Sequence, residues 1–106
     1  MTEISINRHI VIDGVLCLAV TGDIDMATSG QLAAAIRGCI DADDVRELLV
    51  DLDHVTFLDS TGISALVAGR NLATQQGITL RIVNPHGMVR RTLELTGVLA
   101  ALTGHS

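Results

Sequence analysis

The first two dozen residues leave this chain few ways to fold. From Ile4 to Ile12 polar and apolar residues alternate, isoleucines recur with Val11 beside them, and the pattern suits a strand with one wet face. Asp13-Gly14 follows, the residue pair that favours a two-residue hairpin turn. Val15 to Val20 is then unbroken apolar sequence, which suits a strand covered on both faces. An antiparallel pair whose second member is the more buried needs further layers on top of it, and the rest of the chain must supply them.

The remaining pattern alternates. Thr21-Gly22-Asp23-Ile24-Asp25 reads as a loop carrying two carboxylates, of which Asp25 is placed to cap the next helix. Leu32, Ile36 and Ile40 recur every four residues with Cys39 beside them, predicting a helix from Met26 to about Ala42. Asp41-Ala42-Asp43-Asp44 is an acidic turn that ends it. Val45 to Asp53 reads as the next strand, and His54 to Leu58 carries the chain on to Asp59-Ser60-Thr61-Gly62. A second helical pattern, Ile63 to Gln76, has Ile63, Leu66, Gly69 and Ala73 on one face, and Gly77 suits its C-terminal cap. Gly69 inside that face predicts a close approach of the backbone to a neighbour. Ile78 to Val83 is another strand, closed by Asn84-Pro85, and Met88 to Leu95 a third helix with Val89 and Leu93 one turn apart. Val98 to Leu102 is apolar but too short to assign. Strand, strand, helix, strand, helix, strand, helix predicts an α/β fold with a mixed sheet of about four strands, covered by helices and opening with an antiparallel hairpin.

Composition excludes several functions. The chain has 106 residues and is 48% hydrophobic, enough for one domain with its own core. It has one Phe and no Trp or Tyr, so the core must be built from Leu, Ile, Val and Ala, and platforms for stacking bases are missing. A net charge of −5 also opposes binding to phosphate backbones, and we expect no nucleic-acid partner. No apolar run approaches the length of a membrane span, and Met1-Thr2-Glu3-Ile4-Ser5 lacks the basic start of a signal peptide, so no membrane partner and a cytoplasmic location are expected. Cys17 and Cys39 stand apart in apolar patterns and read as buried free thiols.

The junction at Asp59-Ser60-Thr61-Gly62 is where chemistry is most plausible. Two hydroxyls fall where a new helix exposes unsatisfied backbone N–H groups, a place for a cap, a phosphate or a nucleophile. The nucleophile lacks support. Leu58 stands where the G-x-S-x-G elbow needs a glycine, His54 is six residues upstream with no site uniting it with Ser60, and His9, His86 and His105 have no recognisable partner. In Asp59-Ser60-Thr61 the glycine comes one residue too late for an aspartic-protease motif, and no metal-ligand cluster or phosphate-cradling glycine loop occurs. The chain is therefore not expected to be an enzyme or to hold a cofactor or metal. Cap and phosphate site remain and are compatible; from the residue types alone Ser60 or Asp59 can cap the helix by accepting from its first free N–H groups, and Ser60 is expected to do so.

Several pieces in order resemble a known family: Leu18-Ala19-Val20-Thr21-Gly22-Asp23-Ile24-Asp25, Leu49-Val50-Asp51-Leu52, Phe57-Leu58-Asp59-Ser60-Thr61-Gly62-Ile63, Val83-Asn84-Pro85, Val89-Arg90-Arg91, and Leu93-Glu94-Leu95-Thr96-Gly97-Val98. Together they resemble the STAS domain, and within it the free-standing anti-sigma factor antagonists of bacterial partner-switching systems, over nearly the whole chain, 1–106, as a single domain. The resemblance implies a regulator without catalysis of its own. Such a protein, unphosphorylated, docks on an anti-sigma factor that is also a serine kinase with bound ATP, and the sigma factor is released. Phosphorylation of the first hydroxyl of the motif, here Ser60, dissociates the complex, and a serine phosphatase resets it. By the same match Asp25, with Asp23 beside it, is the loop acid that engages the kinase. Asp59, Ser60, Thr61 and Gly62 complete the partner-binding set, and the free protein is expected to be a monomer. The alternative within the resemblance is an unphosphorylated STAS scaffold, or a ligand-sensing subunit of a signalling or transport complex, with Ser60 only a cap.

Overall fold

The computed structural model describes residues 4–42 and 44–104. Met1 to Glu3 of the expected leaderless start, Asp43 of the acidic turn, and His105 lie outside the described residues. The alternating stretch forms β1 (Ile4–Ile12), and the apolar run opens β2 (Val15–Ile24). The two pair antiparallel through Asp13-Gly14, where Gly14 adopts φ +82°, a conformation that glycine reaches without steric cost. β3 (Glu47–Leu58) runs parallel to β2, and β4 (Thr79–Val83) parallel to β3, giving a mixed sheet in the order β1-β2-β3-β4. The two parallel crossovers are α1 (Ser29–Ile40) and α2 (Ser60–Gln75), and α3 (Gly87–Leu95) and α4 (Leu99–Thr103) follow β4.

The sheet positions the core in rows. Leu16, Leu48 and Leu80 lie side by side across β2, β3 and β4, and Leu18, Val50 and Ile82 form the next row on the same face. Against them pack Leu32, Ile36, Cys39 and Ile40 of α1 and Ile63, Leu66 and Ala73 of α2, while Val89, Leu93 and Leu102 of the last two helices complete one apolar cluster. Each such Leu, Ile or Val contributes roughly 1.5–3 kcal/mol by leaving water. Gly69 has the expected close approach, since a Cβ there would lie 2.8 Å from Ile36 Cγ2 on α1. On the other face Cys17 is buried, while Ala19, Leu49, Asp51, Arg81 and Val83 stay half-buried.

Three expectations need correction. β2 does not stop at Val20: Thr21 to Ile24 remain in the sheet, paired with the end of β3, so Asp23 lies on a strand and not in a loop. β3 likewise does not end at Asp53 but continues to Leu58. Its register explains why alternation failed to reveal this. Ala19 pairs with Asp51 but Thr21 with His54, and Gly22 pairs with Val55 but Asp23 with Phe57, so β3 carries an extra residue at each of two places. Such bulges change the spacing of inward residues from two to three, from Leu48, Val50 and Leu52 to Val55 and Leu58. α1 begins at Ser29 and not at Met26, because residues 25–28 are held in a separate turn described below. Val98 to Leu102, too short to assign from sequence, falls on α4 and its N-cap, with Leu102 fully buried.

Cys17 and Cys39 are free and buried, and burial pushes both thiols up from their ordinary range. Among the described residues no helix is long and apolar enough to cross a membrane.

Candidate functional site

The C-terminal ends of the parallel strands β2 and β3 lie side by side, Ile24 paired with Leu58, and both side chains are buried. The Asp59 N–H donates to the Ile24 carbonyl at 3.2 Å, so the segment after β2 and the segment after β3 leave the sheet together. This brings Asp23 and Asp25 to the same end of the molecule as Asp59, Ser60, Thr61 and Gly62.

At the start of α2 the neighbours Asp59 and Ser60 have different tasks. Asp59 has extended backbone and occupies the N-cap, its carboxylate accepting from the Thr61 N–H at 2.9 Å and the Gly62 N–H at 3.2 Å. The Thr61 hydroxyl donates to the same oxygen. That hydroxyl is the foremost reason that the Asp59 carboxyl is held below the usual carboxylate range; partial burial opposes the shift, and the two N–H groups reinforce it. Ser60, the first helical residue, is exposed, and its hydroxyl makes no hydrogen bond within the described residues. The expectation that Ser60 caps the helix is therefore corrected: an ionised carboxylate one residue earlier already holds the free N–H groups, and Ser60 points to water. Gly62 is buried, and a Cβ there would overlap Leu58 Cδ1 and come within 2.7 Å of Ile24 Cγ2, so only glycine lets α2 start this close to the strand ends.

The acidic turn beside it is equally fixed. The Asp25 carboxylate accepts from the N–H groups of Ala27 (2.9 Å) and Thr28 (3.2 Å), and its carbonyl from those of Thr28 and Ser29. Asp25 thus closes a turn ahead of α1 and does not cap the helix itself. Thr28, the one buried polar side chain among the described residues, ties this turn to the sheet. Its hydroxyl donates to the Asp23 carbonyl at 2.8 Å and accepts from the Asp25 N–H at 3.0 Å. The Asp23 carboxylate accepts from the Thr56 hydroxyl across the β2–β3 pair. Sequence reasoning missed Thr28 and Thr56; a threonine three residues after an acid was the available signal for the first. None of Asp23, Asp25 and Asp59 forms an ion pair within the described residues.

Among the described residues His54 and His86 form no hydrogen bond or ion pair with this arrangement. Asp53 stands between His54 Nε2 (3.7 Å) and His86 Nε2 (3.8 Å), all three well exposed. Among the described residues no group of three or more His, Cys, Asp or Glu is placed to hold a metal ion. The site therefore presents a free hydroxyl among carboxylates on a hydrogen-bonded frame.

Residues 8–105 match the STAS domain family, and the chain belongs to it. It is 34% identical over 86 residues to the anti-sigma-F factor antagonist RsfB of Mycobacterium tuberculosis, covering 81% of this chain and 69% of that protein. The crystal structure of an anti-sigma factor antagonist from Mycobacterium paratuberculosis superposes with a TM-score of 0.80 at 32% identity, covering 94% of this chain and 83% of that one. A murine anion transporter, Slc26a9, superposes with a TM-score of 0.73 at 20% identity over 92% of this chain and 19% of the transporter, a likeness of fold alone.

Proposed function

We propose that this chain is an anti-sigma factor antagonist that works by partner switching. Unphosphorylated, it docks through Asp23, Asp25, Asp59, Ser60, Thr61 and Gly62 on an anti-sigma factor that is also an ATP-bound serine kinase, and so frees a sigma factor. The kinase then transfers the γ-phosphoryl group of ATP to the Ser60 oxygen, the hydroxyl proton leaves and ADP remains. The complex dissociates, and a serine phosphatase restores the hydroxyl. The observation that supports this most is the division of labour at the start of α2: Asp59 supplies the cap, Thr61 is tied to Asp59, and Ser60 alone is exposed with its hydroxyl free. The names of the relatives point to the same role.

The geometry also suits the switch. A phosphate brings about −1.5 to −2 charges to a helix start whose N–H groups and dipole tolerate an anion. Asp59 and the Asp25 turn already make that end negative, so a partner that holds the phosphates of its ATP against Ser60 is repelled. A few kcal/mol suffice to dissociate a micromolar complex. Mass spectrometry after incubation with the cognate anti-sigma kinase and ATP tests the reading. One phosphate on Ser60, absent from Ser60→Ala, is the expected result. An unmodified Ser60 in a chain that still binds the kinase would favour a constitutive scaffold.

A further inference from the structure

We infer that the face around Ser60 seats on its partner through two apolar anchors, Met26 and Phe57, so that the partner surface must offer apolar sockets bordered by basic side chains. The inference rests on the antagonist reading and adds the chemistry of the partner to it.

Phe57 is the only aromatic residue in the chain, and a core assembled from aliphatic side chains had every use for its volume. It lies instead on the surface, 40% exposed, two residues before Asp59. Met26 is 80% exposed at the crest of the turn that Asp25 closes. The register places both at one end of the sheet: Phe57 pairs with Asp23 and Ile24 with Leu58, across a strand spacing of about 4.8 Å. The two apolar groups therefore belong to the same end as Ser60, Phe57 near the end of β3 and Met26 in the turn that follows β2. Their backbones are already ordered, Met26 by the Asp25–Thr28 turn and Phe57 by the sheet, so that docking has only the side chains to immobilise. Aromatic and methionine side chains are the types that interface centres favour.

The charges around them fix the border. Asp23, Asp25 and Asp59 have no cation of their own among the described residues, so a partner that covers them is best matched by basic side chains at its border. An apolar centre inside a rim of single-sign charge makes separable demands: contacts of the centre are insensitive to salt, while those of the rim are screened by it. The same arrangement gives a phosphate on Ser60 a second way to break the complex, because a dianion beside the anchors would have to shed its water.

Titration calorimetry of the full chain against the anti-sigma kinase that binds it tests this. Phe57→Ser and Met26→Ser should each raise Kd about thirtyfold, by a factor that is the same at low and high salt. Ile10→Ser, which removes a 71% exposed side chain paired with Leu16 at the other end of the sheet, should leave Kd unchanged. Thermal midpoints check that the variants fold; Phe57→Gln and Met26→Gln replace either serine variant that does not. Anchor variants that bind within about twofold of the wild type would overturn the inference while leaving the antagonist reading intact. A wild-type chain that binds none of the anti-sigma kinases of its own genome would overturn both.

Discussion

Asp59 and Ser60 are adjacent and similar in size, yet the start of α2 depends on only one of them. Asp59→Ala should cost about 1 kcal/mol in urea unfolding, because the N–H groups of Thr61 and Gly62 lose their acceptor. Ser60→Ala, which removes no hydrogen bond, should stay within about 0.5 kcal/mol. Equal losses from the two would reverse the assignment of the cap. The pH dependence has a definite sign. The Asp59 carboxyl titrates lower in the folded chain than in the unfolded one. Its ionisation thus stabilises fully above the unfolded value, near about 3.9, and the contribution is lost as pH falls through the lower folded value. Asp59→Asn keeps an acceptor but not the charge. The stability gap between wild type and this variant should hold steady from neutral pH to about pH 5 and close below about pH 4; a gap unchanged in strong acid would mean that the charge contributes nothing. The sequence marked this junction as a helix start but could not divide it between two capping residues, since either side chain satisfies the pattern and only the backbone geometry chooses.

The elements around the site depend on three small contacts. Thr28→Val keeps the shape of the side chain but leaves the Asp23 carbonyl and the Asp25 N–H without their partner at a buried position, and should cost about 1–3 kcal/mol. Amide exchange should then quicken in residues 25–29 ahead of the rest of the chain; uniform quickening would mean that the turn is not a separate unit. Gly69→Ala gains up to about 1 kcal/mol of helix propensity but pushes against the branched side chain of Ile36, and overpacking of this kind costs about 1–3 kcal/mol. A net loss is expected. Gly62→Ala should lose more, because it meets both Leu58 and Ile24, buried residues with stiff surroundings. Comparing the thermal midpoints of the two variants checks the order. Gly69 was legible as a close approach, since a glycine interrupts an otherwise regular apolar face. Gly62 was read only as part of a motif, and the extension of β3 beyond Asp53 was not legible at all. Bulges replace the period-two signal with pairs of outward residues, Asp53-His54 and Thr56-Phe57, that look like a loop. α4 was missed for a different reason: five residues are too few to display a helical period, and only the pocket that Leu102 fills decides their conformation.

For the whole molecule the arrangement of the sheet sets how a signal at Ser60 can act. The ends of β2 and β3 meet the starts of the 25–28 turn and of α2 at one end of the domain, and every one of these pieces is pinned by a backbone bond or a buried side chain. The strand order β1-β2-β3-β4 joins neighbours in sequence, and Asp59 alone separates β3 from α2 beside Ser60. A phosphate on an exposed first-turn residue meets water on one side and helix N–H groups on the other, which offsets much of its repulsion from Asp59. The domain should therefore be switched without being remodelled. In Ser60→Asp, or in the phosphorylated chain, backbone chemical shifts should change at the first turn of α2 and in residues 23–28 and stay fixed in β1, β4 and α4. The thermal midpoint should move by no more than a few degrees, equivalent to about 1 kcal/mol or less in a domain of this size, while binding to the kinase is lost. Undiminished binding would remove the electrostatic account of release. Loss of binding together with shifts spread across the sheet would mean that the added charge acts by refolding the core. Between these outcomes lies the behaviour expected on the proposed function, a local change of charge read by a partner while the receiving fold stays as it was.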